Sequence, residues 1–133
     1  MLEETNIPNI VLTSRQLLNG EKARSQLPES WQHRIHVLEL DVLSRENIVN
    51  FKNEVKTRFG GFDILVQNSG VAPEIERKDF GALKKTVNTN FFGSFYLMEE
   101  IYQLARPSAR IVFVSSIFSL RGMYNLGMAS DIR

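Results

Sequence analysis

Two stretches of this chain are apolar almost without a break and too short for a helix: Phe62–Val66 (FDILV) and Ile111–Val114 (IVFV). A strand with one wet face alternates apolar and polar residues. A strand covered on both faces does not, and that is the habit of parallel sheets sandwiched between helices. Asn9–Ser14 (NIVLTS) and Ile35–Leu40 read as two further strands. Between the strands lie segments of helical period. Gln16–Leu27 carries Leu17, Ala23 and Leu27, and Pro28 ends it. Ser44 is a natural N-cap for a helix to Arg58, with Ile48, Phe51, Val55 and Phe59 at spacings of three and four, and Gly60-Gly61 stops it. A long helix from Phe80 to Ala105 places Leu83, Val87, Phe91, Phe95, Met98 and Tyr102 along one side, and Arg106-Pro107 breaks it. Strand, helix, strand, three times over, predicts an α/β domain over residues 1–133, with a parallel sheet and helices on both faces.

Composition narrows the chemistry. Sixteen basic residues against 15 acidic leave a net charge of +1, so no charge excess points to nucleic acid or a membrane surface. With no cysteine, disulfides, thiol catalysis and zinc–thiolate sites are excluded. No metal site is expected. The N-terminal MLEETNIPNI lacks the layout of a signal peptide, and no apolar run reaches the roughly 20 residues needed to span a bilayer. A cytoplasmic protein is the expectation.

In such sheets ligands lie beyond the C-terminal strand ends. The first end carries Ser14-Arg15, whose guanidinium can pair with a phosphate on an adenosine ribose or simply open a helix in solvent. The second carries Asp41-Val42; the carboxylate can accept from an adenine amino group, or from backbone N–H groups of the next helix. The third carries Gln67-Asn68-Ser69-Gly70, where the glycine lets backbone approach a bulky ligand and Asn68 can bridge neighbouring strands, though Asn, Ser and Gly are also good turn residues. Ser115-Ser116 closes the fourth strand, as a catalytic hydroxyl or a turn cap. His33 and His36 flank the second strand, far from that serine in this topology. Asn88-Thr89-Asn90-Phe91-Phe92-Gly93 is out of place inside a helix, where glycine costs about 1 kcal/mol relative to alanine. It predicts a kink or a close approach.

In order and spacing these pieces resemble the short-chain dehydrogenase/reductase family, over about Ile10 to Leu120. DILVQNSG is similar to the family's D-x-L-V-N-N-A-G, TNFFGSF to its N-x-x-G helix, and IVFVSSIFSL to its serine strand. NIVLTSR, TNFFG and VSSIFSLR look most like its NADPH-dependent carbonyl reductases. The resemblance implies a Rossmann-like, doubly wound sheet, a small-molecule carbonyl substrate and NADP(H). It implies that Ser116 hydrogen-bonds the substrate carbonyl and that Asn90 holds a water in a proton relay. Asn68, Ser69 and Gly70 then support the sheet beside the cofactor, Asp41 and Val42 lie by the adenine, and Arg15 favours NADP over NAD. Gln67 and Ser69 replace asparagine and alanine of the motif.

Two departures are larger. The family takes its proton from the tyrosine of Y-x-x-x-K, whereas Tyr124 here is followed four residues later by Met128, and no lysine follows Ser116. Nothing before NIVLTS supplies the family's opening strand or its glycine-rich turn. The expectation is therefore an incomplete Rossmann-like sheet, from the second family strand to just past the serine strand, and an isolated chain without reductase activity. Its alternatives are a truncated, non-catalytic isoform that pairs with a full-length reductase, or an incomplete gene model. The helix carrying Phe91 to Tyr102 is the surface for a homo- or heterodimer, unless that stripe is core.

Overall fold

The computed structural model describes residues 9–72 and 80–115. Strand β1 (Ile10–Ser14) leads to helix α1 (Leu17–Ser25), a short α2 (Glu29–Gln32) and β2 (Ile35–Glu39). Helix α3 (Arg45–Phe59) and β3 (Phe62–Gln67) follow, then a long helical stretch. That stretch is α4 (Phe80–Val87), a π-helical segment (Asn88–Gly93), α5 (Ser94–Ile101) and a 3₁₀ turn (Tyr102–Leu104), and it runs into β4 (Ala105–Phe113).

The ends of α3 show how local chemistry sets the boundaries. The Ser44 hydroxyl accepts the Asn47 N–H at 3.2 Å, satisfying a donor the helix cannot. At the other end Gly60 takes the left-handed conformation (φ 72°) and its N–H closes on the Lys56 carbonyl. Between them Ile48, Phe51 and Val55 are buried.

The strands pair in parallel as two separate ladders, β1 with β2 and β3 with β4. Ile10 faces Ile35 and the register runs to Ser14 opposite Glu39. In the second ladder Ile64 to Gln67 face Arg110 to Phe113, after an irregularity between Phe62 and Ile64. No ladder joins β1 to β3 among the described residues.

One core touches both ladders. Leu38, Leu40 and Val42 pack with Ile48, Phe51 and Val55 of α3 and Leu97 and Ile101 of α5, and Val11, Phe62 and Leu65 lie against them. Val37 points the opposite way from Leu38 and meets α1 at Gly20. Helices thus cover both faces of the first ladder. The continuous apolar runs predict the same for the second, but there Ile64, Val66 and Val112 are exposed, so among the described residues one of its faces is open.

Two expectations need correction. Leu17, Ala23 and Leu27 do not form the packed side of α1, whose buried residue is Gly20. The fourth strand begins at Ala105 and includes Arg106 and Pro107, because the Arg106 guanidinium anchors the strand entrance on Asp63 (2.6 Å) and on the Phe59 carbonyl. On the long helix Thr89, Gly93, Leu97 and Ile101 form the buried side, and of the apolar stripe Leu83, Val87, Phe91, Phe95 and Tyr102 lie outward, as a surface and not as core, while Met98 packs against the core.

Candidate functional site

The loops after β2 and β3 are brought together by the π-helical segment. An extra residue per turn widens the helix there, a distortion often found at functional sites. It suits Asn88–Gly93, whose asparagines and glycine hold an α-helix poorly. Gly93 lies flat on Val42: a Cβ on it would meet Val42 Cγ2 at 2.7 Å. Asn90, on the other side, grips the loop after β3. Its Oδ1 accepts the Val71 N–H at 2.8 Å and its Nδ2 donates to the Val71 carbonyl at 2.9 Å, as a neighbouring strand would. Gly70 comes so close that a Cβ on it would stand 3.3 Å from Asn90 Oδ1.

A second link runs from the strand tip to the same segment. Gln67 is buried at the end of β3, and its Nε2 donates to Ser94 Oγ at 3.0 Å. Ser94 Oγ in turn donates to the Asn90 carbonyl at 3.1 Å. Sequence reasoning missed this link, since Gln67 reads there only as a variant of a motif asparagine. Gln67 ties the tip of β3 to helix α5, while Asn68 is exposed and its side chain makes no hydrogen bond among the described residues.

Asp41 is half-buried. Its Oδ1 accepts the Leu43 N–H at 3.0 Å and its own N–H donates to Asn47 Oδ1. The cap of α3 is Ser44, so Asp41 holds its own turn and not the helix start. Its second carboxylate oxygen has no partner among the described residues. Val42 is buried under Gly93. Arg15 is exposed just beyond β1 and forms no ion pair among the described residues. The Leu40 N–H bonds the Ser14 carbonyl at 2.9 Å, so Arg15 and Asp41 leave adjacent strand ends.

A pocket of about 280 Å³ opens beside this turn, lined by Val42, Leu43, Asn88, Phe92, Gly93 and Tyr96. Arg45 stacks over the Tyr96 ring at 3.5 Å and reaches Glu99 at 3.4 Å. Near it, Thr89 is buried with its hydroxyl unpaired among the described residues. Ser115 is exposed past the end of β4; Ser116 and Tyr124 lie outside the described residues. No cluster of His, Cys, Asp and Glu suited to a metal occurs among the described residues. No helix among them is long and apolar enough to cross a membrane.

At the two adjacent strand ends the described residues thus offer a guanidinium without an ion pair, on Arg15, and a carboxylate with a spare oxygen, on Asp41. A guanidinium can pair with a phosphate, and a carboxylate oxygen can accept from an amine.

The comparisons with known proteins give the family. A family model described as short chain dehydrogenase matches residues 4–128. Carbonyl reductase 1 (NADPH) of Homo sapiens is 35% identical over 118 residues, covering 86% of this chain and 42% of its own length. The Mus musculus protein of the same name is 32% identical over 120 residues, covering 88% and 43%. The chain thus spans about two fifths of the length of these curated relatives. The crystal structure of a short-chain dehydrogenase/reductase from Brucella melitensis superimposes with a TM-score of 0.72 at 26% identity, covering 86% of this chain and 48% of that one. ElxO with NADP bound gives 0.71, also at 26% identity, covering 84% and 47%.

Proposed function

This chain belongs to the short-chain dehydrogenase family, and from that premise we propose that it serves NADPH-dependent reduction of a small-molecule carbonyl. When bound, the cofactor supplies the hydride. Arg15 pairs with the ribose phosphate that distinguishes NADPH from NADH, and Asp41 takes the adenine amino group on its spare oxygen. Val42 and Gly70 let the ring and ribose approach, with Asn68 and Ser69 completing the loop. Asn90 fixes that loop against the helix through Val71 and so holds the water-bearing end of a proton relay in place. Ser116, three residues on from the end of β4 in sequence, orients the carbonyl oxygen by a hydrogen bond.

The observation that carries this reading is the double grip of the π-helical segment, Gly93 on Val42 and Asn90 on Val71. It ties the turn after β2 and the loop after β3 to one segment of helix. Calorimetric titration of the 133-residue chain with NADPH and NADH to millimolar concentration tests it. NADPH is expected to bind more tightly, and Arg15→Ala to reduce that preference by about tenfold or more, the size of a charge-assisted pair. Equal weakening of both cofactors by Arg15→Ala would contradict the proposal.

A second reading rests on a different observation. Phe91 (63% exposed), Phe95 (52%) and Tyr102 lie outward on the long helix. That stripe suits pairing with another reductase chain, in a catalytic dimer or as a non-catalytic partner.

A further inference from the structure

We propose that Gln67 is a positioning residue, which shapes the loop after β3 by tying the strand tip to the helical turn that grips the loop's far end. That this loop serves a nucleotide rests on the cofactor reading above. Three links close a ring through the loop. Gln67 Nε2 donates to Ser94 Oγ at 3.0 Å, and Ser94 Oγ donates to the Asn90 carbonyl at 3.1 Å. The Asn90 amide then takes both backbone groups of Val71, at 2.8 and 2.9 Å. Gln67 and Val71 bracket Asn68-Ser69-Gly70, so one turn of helix clamps that loop at both ends.

Gln67 is the fixed end of this ring. Its carbonyl accepts the Val114 N–H at 2.9 Å, which pins its backbone to the end of the second ladder. The residue is only 5% exposed, so an amide that lets go of Ser94 finds little water to replace it. A serine hydroxyl has one hydrogen to give. By donating into Ser94 Oγ, Gln67 leaves that hydrogen for the Asn90 carbonyl. Serine bonds to the carbonyl one turn back bend helices, and this one falls at the end of the π-helical segment. Length matters as much as direction. The asparagine of the related motif is shorter by one carbon–carbon bond, about 1.5 Å, and would not reach Ser94. The replacement by glutamine is therefore what makes the link.

The test follows hydrogen exchange of single amides in the 133-residue chain by NMR. The Val71 N–H, bonded to Asn90 Oδ1, reports on the loop, and the Gly60 N–H, bonded to the Lys56 carbonyl, reports on the fold elsewhere. Gln67→Met keeps the length of the side chain and removes the donor. It should speed Val71 exchange about fivefold, the size of one hydrogen bond, and leave Gly60 unchanged. Gln67→Asn, too short to reach, should behave alike. Ser94→Ala should speed Val71 at least as much, and Gln67→Met added to it should change nothing further, because Gln67 then has nothing to hold. Unchanged Val71 exchange in Gln67→Met, or equal acceleration at Val71 and Gly60, would show that Gln67 only fills space. A double variant faster than Ser94→Ala alone would equally overturn the proposal. Calorimetric titration ties the loop to function: Gln67→Met should bind NADPH about fivefold more weakly. If its Val71 exchange is fast but its NADPH affinity is unaltered, the loop is not part of the cofactor site and the positioning role fails. If the unaltered chain binds no NADPH, the cofactor reading falls, while the exchange rates still decide whether Gln67 shapes the loop.

Discussion

At Gly93 a single missing side chain sets the distance between a helix and a strand end. A Cβ there would meet Val42 at its Cγ2 (2.7 Å), its Cβ (2.9 Å) and its carbonyl (3.1 Å). The last of these is backbone, so a simple rotamer change cannot relieve the crowding. Alanine favours a helix by up to about 1 kcal/mol over glycine, while overpacking costs about 1–3 kcal/mol. Gly93→Ala should therefore destabilise the chain by about 1 kcal/mol, seen as a lower urea midpoint with an unchanged slope. A stabler variant would show that Val42 yields freely. The sequence marks Asn88, Asn90 and Gly93 as strange inside a helix, because propensity is a local property. It does not reveal what they touch. The hold of Asn90 on Val71, the bond of Gln67 to Ser94 and the orphaned hydroxyl of Thr89 all depend on the registration of one element against another.

Elements were legible where their ends are written in local chemistry. Helix α3 carries its start and stop in Ser44 and Gly60, and its buried face in Ile48, Phe51 and Val55. Ser44→Ala should cost about 1 kcal/mol, the usual worth of an N-cap hydroxyl, again read from the urea midpoint. No change would mean that water caps the Asn47 N–H as well as Ser44 does. Faces were less legible than ends. In α1 the leucines predict a packed side, yet the contact is made by Gly20 against Val37, since only a glycine lets that helix approach the strand so closely. On the long helix the larger apolar stripe faces outward for a related reason: the row through Gly93 permits the closest approach, and it is therefore the row that is buried. Hydrophobic period finds a helix, but the smallest residues decide which side of it meets the sheet. The early start of β4 was hidden too, because Pro107 signals a break and the anchoring of Arg106 on Asp63 is a tertiary contact.

For the whole molecule, the correspondence of these strands with the second to fifth of the family leads to the expectation that NIVLTS and FDILV do not pair with each other. The two separate ladders agree with it. Among the described residues each of β1 and β3 has a partner on one side only, so each leaves a row of backbone donors and acceptors on its other edge. On β3 the outward side chains are Ile64 (61% exposed) and Val66 (57%), without a charge between them on that face. Open edges with apolar side chains pair readily with other chains. The helix stripe through Phe91 and Phe95 is a second adhesive surface. The purified 133-residue chain should therefore associate, and size-exclusion chromatography over a wide concentration range should show its apparent mass rising with concentration. Phe95→Lys distinguishes the cause. Because Phe95 lies on the outward side of α5, a lysine there leaves the core intact while placing a charge in the stripe. If helices drive association, Phe95→Lys should restore a monomer. If strand edges drive it, Phe95→Lys should still associate, whereas Val66→Lys on the face of β3 should not. A chain that elutes as a monomer at every concentration and melts cooperatively would show that neither surface is adhesive, and that the two ladders close on one another well enough to shield their edges.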